Sequence, residues 1–394
     1  MVSTEATIQF DDLKKAFASR SNTDLRRMHL LFQTMAYPWL VKLGTLFLNF
    51  CFKIGLPVKG LVKSTLFAHF CGGESIQECS HTILKLNNYH IGTILDYSVE
   101  GAKTDAGFEQ TTQEIMQTIR AAAAQPESIP FSVFKVTGIA SIDLLEKVQS
   151  GKSLTEVEKE AFRQVNQRVD RICGFAAQMG VRIFIDAEES WIQQPIDQMA
   201  YAMMAKYNHA KPIVYNTYQL YRTEGLENLK RAYHYATMNN IWLGAKLVRG
   251  AYMEKERKRA AEMGYPSPIQ PDKSATDRDF DLALRFCVDN KQRIAFCAGS
   301  HNEQSNQYLT ILMEKYNINP ADPNVFFAQL YGMSDHISYN LASAGYRVAK
   351  YVPYGPVKSV MPYLFRRAEE NTSVAGQTGR ELGLIKAELQ RRKA

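Results

Sequence analysis

Cysteine pairs are missing from this sequence: it has no Cys-x-x-Cys and no Cys/His spacing of the kind that holds zinc, and Cys51, Cys71, Cys79, Cys173, Cys287 and Cys297 lie far apart. A metal centre and a disulfide framework are therefore not expected, whereas free thiols in a reducing compartment are. Also absent are the G-x-G-x-x-G turn and the G-x-x-x-x-G-K-[ST] loop, which speaks against a doubly wound dinucleotide fold and a P-loop nucleotidase. The N-terminus carries Glu5, Asp11 and Asp12 and lacks a basic stretch leading into an apolar one. That argues against a secretory signal and a transit peptide and points to a bacterial-type cytoplasm. No long tract of one charge occurs either. The 394 residues hold 47 Lys and Arg against 40 Asp and Glu, a formal net charge of +7. Read as an excess spread along the chain, this suits anionic small molecules or a membrane surface and gives no reason to expect nucleic-acid binding.

What is present is an apolar content of 45%, ample for a large buried core. Residues 1–88 read as a helical arm. Within it, residues 37–56 are apolar enough to raise the question of a membrane span, but Lys42 and Lys53 interrupt the run. Each would be costly at the bilayer centre unless it reached the interface. A segment packed on the rest of the protein, or an amphipathic one lying at an interface, is the expectation.

From residue 89 onward the pattern changes to short apolar runs rich in β-branched and aromatic residues, each followed by a longer amphipathic segment. Eight such runs occur, at residues 91–99, 131–137, 182–187, 212–218, 243–249, 293–298, 325–330 and 347–352. Segments such as 155–179 and 226–239 are long enough for crossover helices. Eight alternations predict an α/β protein with a (β/α)8 barrel of the TIM type over residues 89–394. A doubly wound sheet has the same local pattern, and the missing glycine-rich turn separates the two.

Chemistry in such a barrel sits at the C-terminal ends of the strands, so polar residues late in each run are the informative ones. Lys135 lies in an otherwise apolar run and needs an anionic partner or a ligand carboxylate. Asp186 ends the next run and could pair with Lys135 or serve catalysis, and Asn216 places an amide in the one after. In the run ending Lys246-Leu247-Val248-Arg249-Gly250-Ala251-Tyr252, two cations alternate with aliphatics before a glycine that allows close approach to a ligand. A charged helix over residues 253–263 follows. Lys273 precedes Thr276-x-x-Asp279, a pattern resembling a capping box, where ordinary capping competes with phosphate binding. Ser300, His301 and Gln329 stand at later strand ends. Tyr363, Arg366, Arg367 and Glu370 share one helical face, open to reading as an exposed ion-pair stripe or as a guanidinium pair gripping a carboxylate.

At these last motifs the sequence resembles the proline dehydrogenases. Gly244-Ala245-Lys246-Leu247-Val248-Arg249-Gly250-Ala251-Tyr252 and Tyr351-Val352-Pro353-Tyr354-Gly355, followed by Tyr363-x-x-Arg366-Arg367-x-x-Glu370, look like the form in animal mitochondrial enzymes and in bacterial relatives. The similarity extends from about residue 72 to about residue 372 with the motifs in the family's order. It implies noncovalent FAD at the barrel mouth, with the arginine-bearing C-terminal helix placed over it. Arg366, Arg367 and Lys135 are implied to bind the proline carboxylate, and Leu247, Tyr252, Tyr351 and Tyr363 to wall the ring. Asp186 and Lys246 are the implied catalytic residues, Asp186 orienting Lys135, Tyr252 or both and Lys246 standing near the flavin N5. The implied FAD contacts are Asn216, Lys246, Val248, Arg249, Gly250, Ala251, Lys273, Thr276, Ser300, His301 and Gln329, with Glu370 supporting the arginines or the cofactor. No metal is implied. Many bacterial members carry Arg at the position of Lys246 and Trp at that of Met253, so flavin tuning and adenine stacking are where this chain departs. The implied reaction is hydride transfer from L-proline to FAD, giving Δ1-pyrroline-5-carboxylate, with a membrane quinone as the electron acceptor. Peripheral contact with the inner face of the plasma membrane and a separate pyrroline-5-carboxylate dehydrogenase downstream are further expectations. The rival readings are 4-hydroxyproline dehydrogenase on the same fold and a noncatalytic, membrane-associated barrel that binds an anion.

Overall fold

The computed structural model describes residues 8–54, 56, 58–98, 104–373 and 377–393, with side chains at 49, 52–53, 369–373 and 377–378 outside that description. Eight parallel strands close into a barrel in chain order: β1 Ile91–Tyr97, β2 Phe131–Phe134, β3 Arg182–Ile185, β4 Val214–Gln219, β5 Leu243–Val248, β6 Ile294–Gly299, β7 Val325–Leu330 and β8 Val348–Tyr354. Closure runs from Ile91 opposite Val348 to Tyr97 opposite Tyr354. All eight expected runs are strands, with shifts at the ends. β4 starts after Pro212, which has no N–H to give a ladder. β8 in contrast runs on through Pro353, whose carbonyl accepts from Gly72 N–H at 2.9 Å.

Strand alternation divides the core in two. Ile94, Phe131, Val133, Phe184, Tyr215, Ala295, Cys297, Phe326, Ala328, Ala349 and Tyr351 fill the barrel interior. Phe131 and Phe184 stack at 4.3 Å, with Tyr215 and Phe326 edge-on to Phe131 at 5.5 and 4.8 Å, so the floor beneath the mouth is a packed aromatic plug. The other parity of each strand meets the surrounding helices in the larger core. A capping box of Thr155 and Glu158 starts the long crossover helix Glu156–Met179.

The N-terminal residues wrap the barrel. Helix Ile76–Asn87 buries Cys79, Ile83 and Leu86 in the main core. Helix Asn22–Met35 shares a small core with the C-terminal helix Gln377–Arg391 through Leu25, Met28, Phe32 and Ile385. Arg20 adds two bonds to Asp335, from Nε at 3.2 Å and Nη2 at 2.8 Å, and Lys350 reaches the same carboxylate at 2.9 Å. Burial pushes Asp335 up, but the two cations outweigh it and hold its carboxyl below the usual range. The apolar stretch at 37–56 contains helix Pro38–Lys53, and no described helix is long and apolar enough to cross a membrane.

Candidate active site at the barrel mouth

Parity decides which of the polar residues face the opening. Lys135, Asp186, Lys246 and Tyr351 fall on the inward side. Lys246 is 5% exposed, and its Nζ bonds Asp186 Oδ1 and, at 2.7 Å, the Tyr351 hydroxyl, which itself lies 3.3 Å from Asp186 Oδ1. The ammonium also sits 4.6 Å from the Tyr351 ring centroid and 5.4 Å from that of Phe184. A charge this buried is tolerable only with such a full set of partners. Asp186 thus engages Lys246 and Tyr351.

Two acids were missed in the sequence. Asp96, late in β1 and inward by parity, accepts from Ser98 Oγ at 2.6 Å, and burial raises it against the charges of Lys135 and Lys246. It obeys the same rule of polar residues late in a run and could have been found. Glu188 accepts from the backbone N–H of Thr137 at 3.0 Å and from its hydroxyl, anchoring the turn that directly follows Lys135. Burial pushes it up to about 7, opposed by the Thr137 bonds and by Lys135.

Above the opening lies helix Val357–Ser373, which buries Val360, Met361 and Leu364 against Phe67, Phe70 and Met333. Arg367 stands 5.3 Å from the ring centroid of Tyr363, and its charge reaches His301. Arg366 reaches Tyr252, whose phenol is raised by burial while Lys135 and Arg366 draw it back. The helix therefore brings its two guanidiniums over loops from different strands, with Lys135 on the same side as Arg366. Glu370 belongs to this helix, but its side chain lies outside the described residues.

Several expected ligand contacts face elsewhere. Leu247 points outward into the helix-facing core and cannot wall a ring at the mouth. Asn216 also points outward, donating to Asp197 on helix Gln193–Tyr207 at 2.8 Å. The inward amide at the end of β4 is Gln219, which sequence reasoning passed over; its buried Oε1 has no hydrogen-bond partner among the described residues. Gln329 is committed to Ser300 O at 3.1 Å and to the Ser338 hydroxyl at 2.8 Å. The expected capping box at Thr276 is not one: Asp272 caps helix Lys273–Asp289 by accepting from Ala275 N–H, and Thr276 lies inside, bonding back to Asp272 O at 3.2 Å. Lys273, at the helix start, pairs with Asp277. In the charged helix Met253–Met263, Glu256 is buried and binds the N–H and hydroxyl of Ser190, each at 2.6 Å.

Around the rim, Arg249 is the hub. It bonds Asp277 at 2.7 Å, Ser300 at 2.6 Å and Ser305 at 2.9 Å, and stacks 4.4 Å from Phe280. His301 Nε2 accepts from Leu330 N–H at 3.4 Å, so Nδ1 carries the proton toward Ser334 Oγ at 2.9 Å. Burial, then the charges of Lys350 and Arg367, push His301 down to about 3 and keep it neutral. Val248 ends β5 beside this rim, inward by parity. Gly250 has φ +137°, and a Cβ there would meet the Tyr221 ring at 2.4 Å. Packing against Tyr221 therefore already requires the glycine, and Ala251 follows it, exposed, in the same loop.

The model of one family, proline dehydrogenase, matches residues 79–380. Over 427 residues the chain is 34% identical to proline dehydrogenase 1, mitochondrial, of Dictyostelium discoideum, covering 97% of this chain and 74% of that protein. It is 31% identical over 413 residues to a hydroxyproline dehydrogenase of Xenopus laevis, covering 95% of this chain and 88% of that protein. Among solved structures, proline utilization A from Bdellovibrio bacteriovorus, inactivated by N-propargylglycine, aligns with a TM-score of 0.73 at 19% identity over 96% of this chain. This chain spans 40% of that one, and the likeness supports the barrel fold.

Proposed function

This chain belongs to the proline dehydrogenase family, and from that premise we propose that it oxidises L-proline to Δ1-pyrroline-5-carboxylate with FAD at the barrel mouth and a membrane quinone as final acceptor. The observation that carries the reading is the convergence of Lys135, Arg366 and Arg367 above a buried Lys246–Asp186–Tyr351 cluster. Three cations around one opening match a small carboxylate, and guanidiniums can hold it in two-point fashion. The residues also fit a flavin dinucleotide: the Gln219 Oε1 without a partner suits a ring-edge donor, and Arg249 with Lys273 suits a pyrophosphate.

FAD, when bound, supplies the hydride acceptor for proline C5. The chain's own part is orientation: the cation clamp fixes the carboxylate, and Tyr252, Tyr351 and Tyr363 confine the ring. Tyr351 is held by Lys246 and Asp186, so its ring keeps one position. Its bulk leaves little room for a hydroxyl at substrate C4, which favours proline over the hydroxyproline for which the Xenopus relative is named. All six cysteines are buried free thiols, which supports a reducing compartment such as a bacterial cytoplasm, and a separate dehydrogenase would take the product.

An anaerobic spectrum of the purified, FAD-loaded protein tests the reading. Bleaching of the oxidised-flavin bands by L-proline, and weakly by trans-4-hydroxy-L-proline, is expected. The reverse preference would move the assignment to the sister activity. A protein that retains no flavin would leave the noncatalytic anion-binding barrel.

A further inference from the structure

Helix Pro38–Lys53 has two unlike sides. Val41 and Leu48 pack into the cluster formed by helix Val357–Ser373, and Cys51 is fully buried. Trp39, Leu43, Leu46, Phe47, Phe50 and Ile54 follow one another at helical spacing on the other side, all more than half exposed, with Leu46 at 69% and Trp39 at 63%. Few water-soluble surfaces expose that much contiguous aromatic and aliphatic area without a partner to cover it.

The surrounding charge identifies the partner. Residues 25–73 contain no Asp or Glu but six Lys and Arg, so the excess read above as spread along the chain is concentrated here. Lys42 sits within the apolar face, three residues after Trp39 and four before Leu46. Asp24 and Glu74 are the carboxylates that bound this segment in sequence, and Lys59 and Lys63 share Glu74 at 2.9 and 2.8 Å. A second copy docked face to face would set Lys42 against Lys42 in an apolar contact with no acid on either helix. An anionic lipid surface instead supplies both the apolar medium and the countercharge. At 16 residues the helix is too short to span a bilayer.

We propose that this helix lies in the plane of an anionic bilayer, its Trp39–Leu46–Phe50 side sunk to the level of the acyl chains and Lys42 reaching back to the headgroups. The inference deepens the quinone reading and rests on it for its purpose, since it names the surface that brings the enzyme to its acceptor. The arginine helix lies directly behind the docked face, so the substrate end of the barrel is carried toward the membrane.

The test uses full-length, FAD-loaded protein and vesicles of phosphatidylcholine with or without an equal part of phosphatidylglycerol. Flotation with the anionic vesicles is expected, with quenching of Trp39 by lipids brominated along the chains that is lost in Trp39→Phe. Leu46→Glu combined with Phe50→Glu should weaken binding at least about tenfold, and Lys42→Glu about fivefold, while proline-dependent dye reduction in solution is unchanged. Wild-type protein that stays in the aqueous fraction, or undiminished binding by the double variant, overturns the proposal. So does a wild-type dimer that the double variant splits, which would make the face a subunit contact. Vesicle binding needs no turnover, so loss of dye reduction with binding intact would sink the catalytic reading alone.

Discussion

Lys246 is buried at the barrel mouth, and Asp186, the Tyr351 hydroxyl and two aromatic faces all meet its ammonium. A lysine can be satisfied by this compact set, whereas the planar fork of an arginine would need its partners spread out. The same distinction suits Arg366 and Arg367 to the proposed substrate clamp, since a planar guanidinium can hold a carboxylate at two points. Replacing Arg366 with Met should raise the KM for proline by about 10- to 100-fold with a smaller change in kcat, since a contact made equally in ground and transition states is lost. Initial rates against proline concentration check this, and an unchanged KM would remove Arg366 from the clamp.

The elements that build the mouth are positioned by contacts remote from it. Glu188 fixes the turn after β2, Glu256 fixes Ser190 beyond β3, and Tyr221 packs so tightly on Gly250 that the loop after β5 can take one path only. That loop carries Arg249 at its start and Tyr252 at its end, one on the rim network and the other beside Arg366. Gly250→Ala should therefore destabilise the protein by about 2 to 3 kcal/mol, from strained backbone and a clash with a buried ring, and lower the FAD retained through gel filtration. A thermal melt and a flavin-to-protein ratio measure both; wild-type values for each would mean the loop has slack that the packing does not suggest.

Across the whole molecule, the arm, barrel and C-terminal helix are joined by buried polar groups whose charge states are set by folding. His69 donates through Nε2 to Gly332 O at 2.8 Å, and burial with the nearby Arg20 charge pushes it down from 6.5 to about 4. A histidine depressed in this way adds stability that is complete above pH 6.5 and is lost as the pH falls toward 4, because only the unfolded chain takes up the proton. Between pH 8 and pH 5 this one group should remove about 2 kcal/mol. In His69→Gln, whose amide can still donate to Gly332, urea midpoints at the two pH values should lie closer together than in the wild type. Equal spacing in both proteins would show that His69 does not titrate in that range.

The eight strands, the parallel barrel and the face shared by Tyr363, Arg366 and Arg367 were legible because each leaves a local period or a bounded apolar run. A strand covered on both sides is apolar throughout, and its length is marked by the turns that end it. That same uniformity hides parity. In β5 nothing local tells Lys246 from Leu247 as the inward residue, and in β4 nothing tells Gln219 from Asn216; closure of the barrel alone sets which face looks inward. Asp96 was within reach of the strand-end rule, but the anchoring role of Glu188 was not, because its partner is 51 residues away in sequence. The apolar character of residues 37–56 belonged to the sequence, which could not say which side of that helix would stay uncovered. What the sequence determined were features carried by near neighbours along the chain; which side chains meet, and which are left facing outward, was decided by tertiary packing between segments that sequence distance keeps apart.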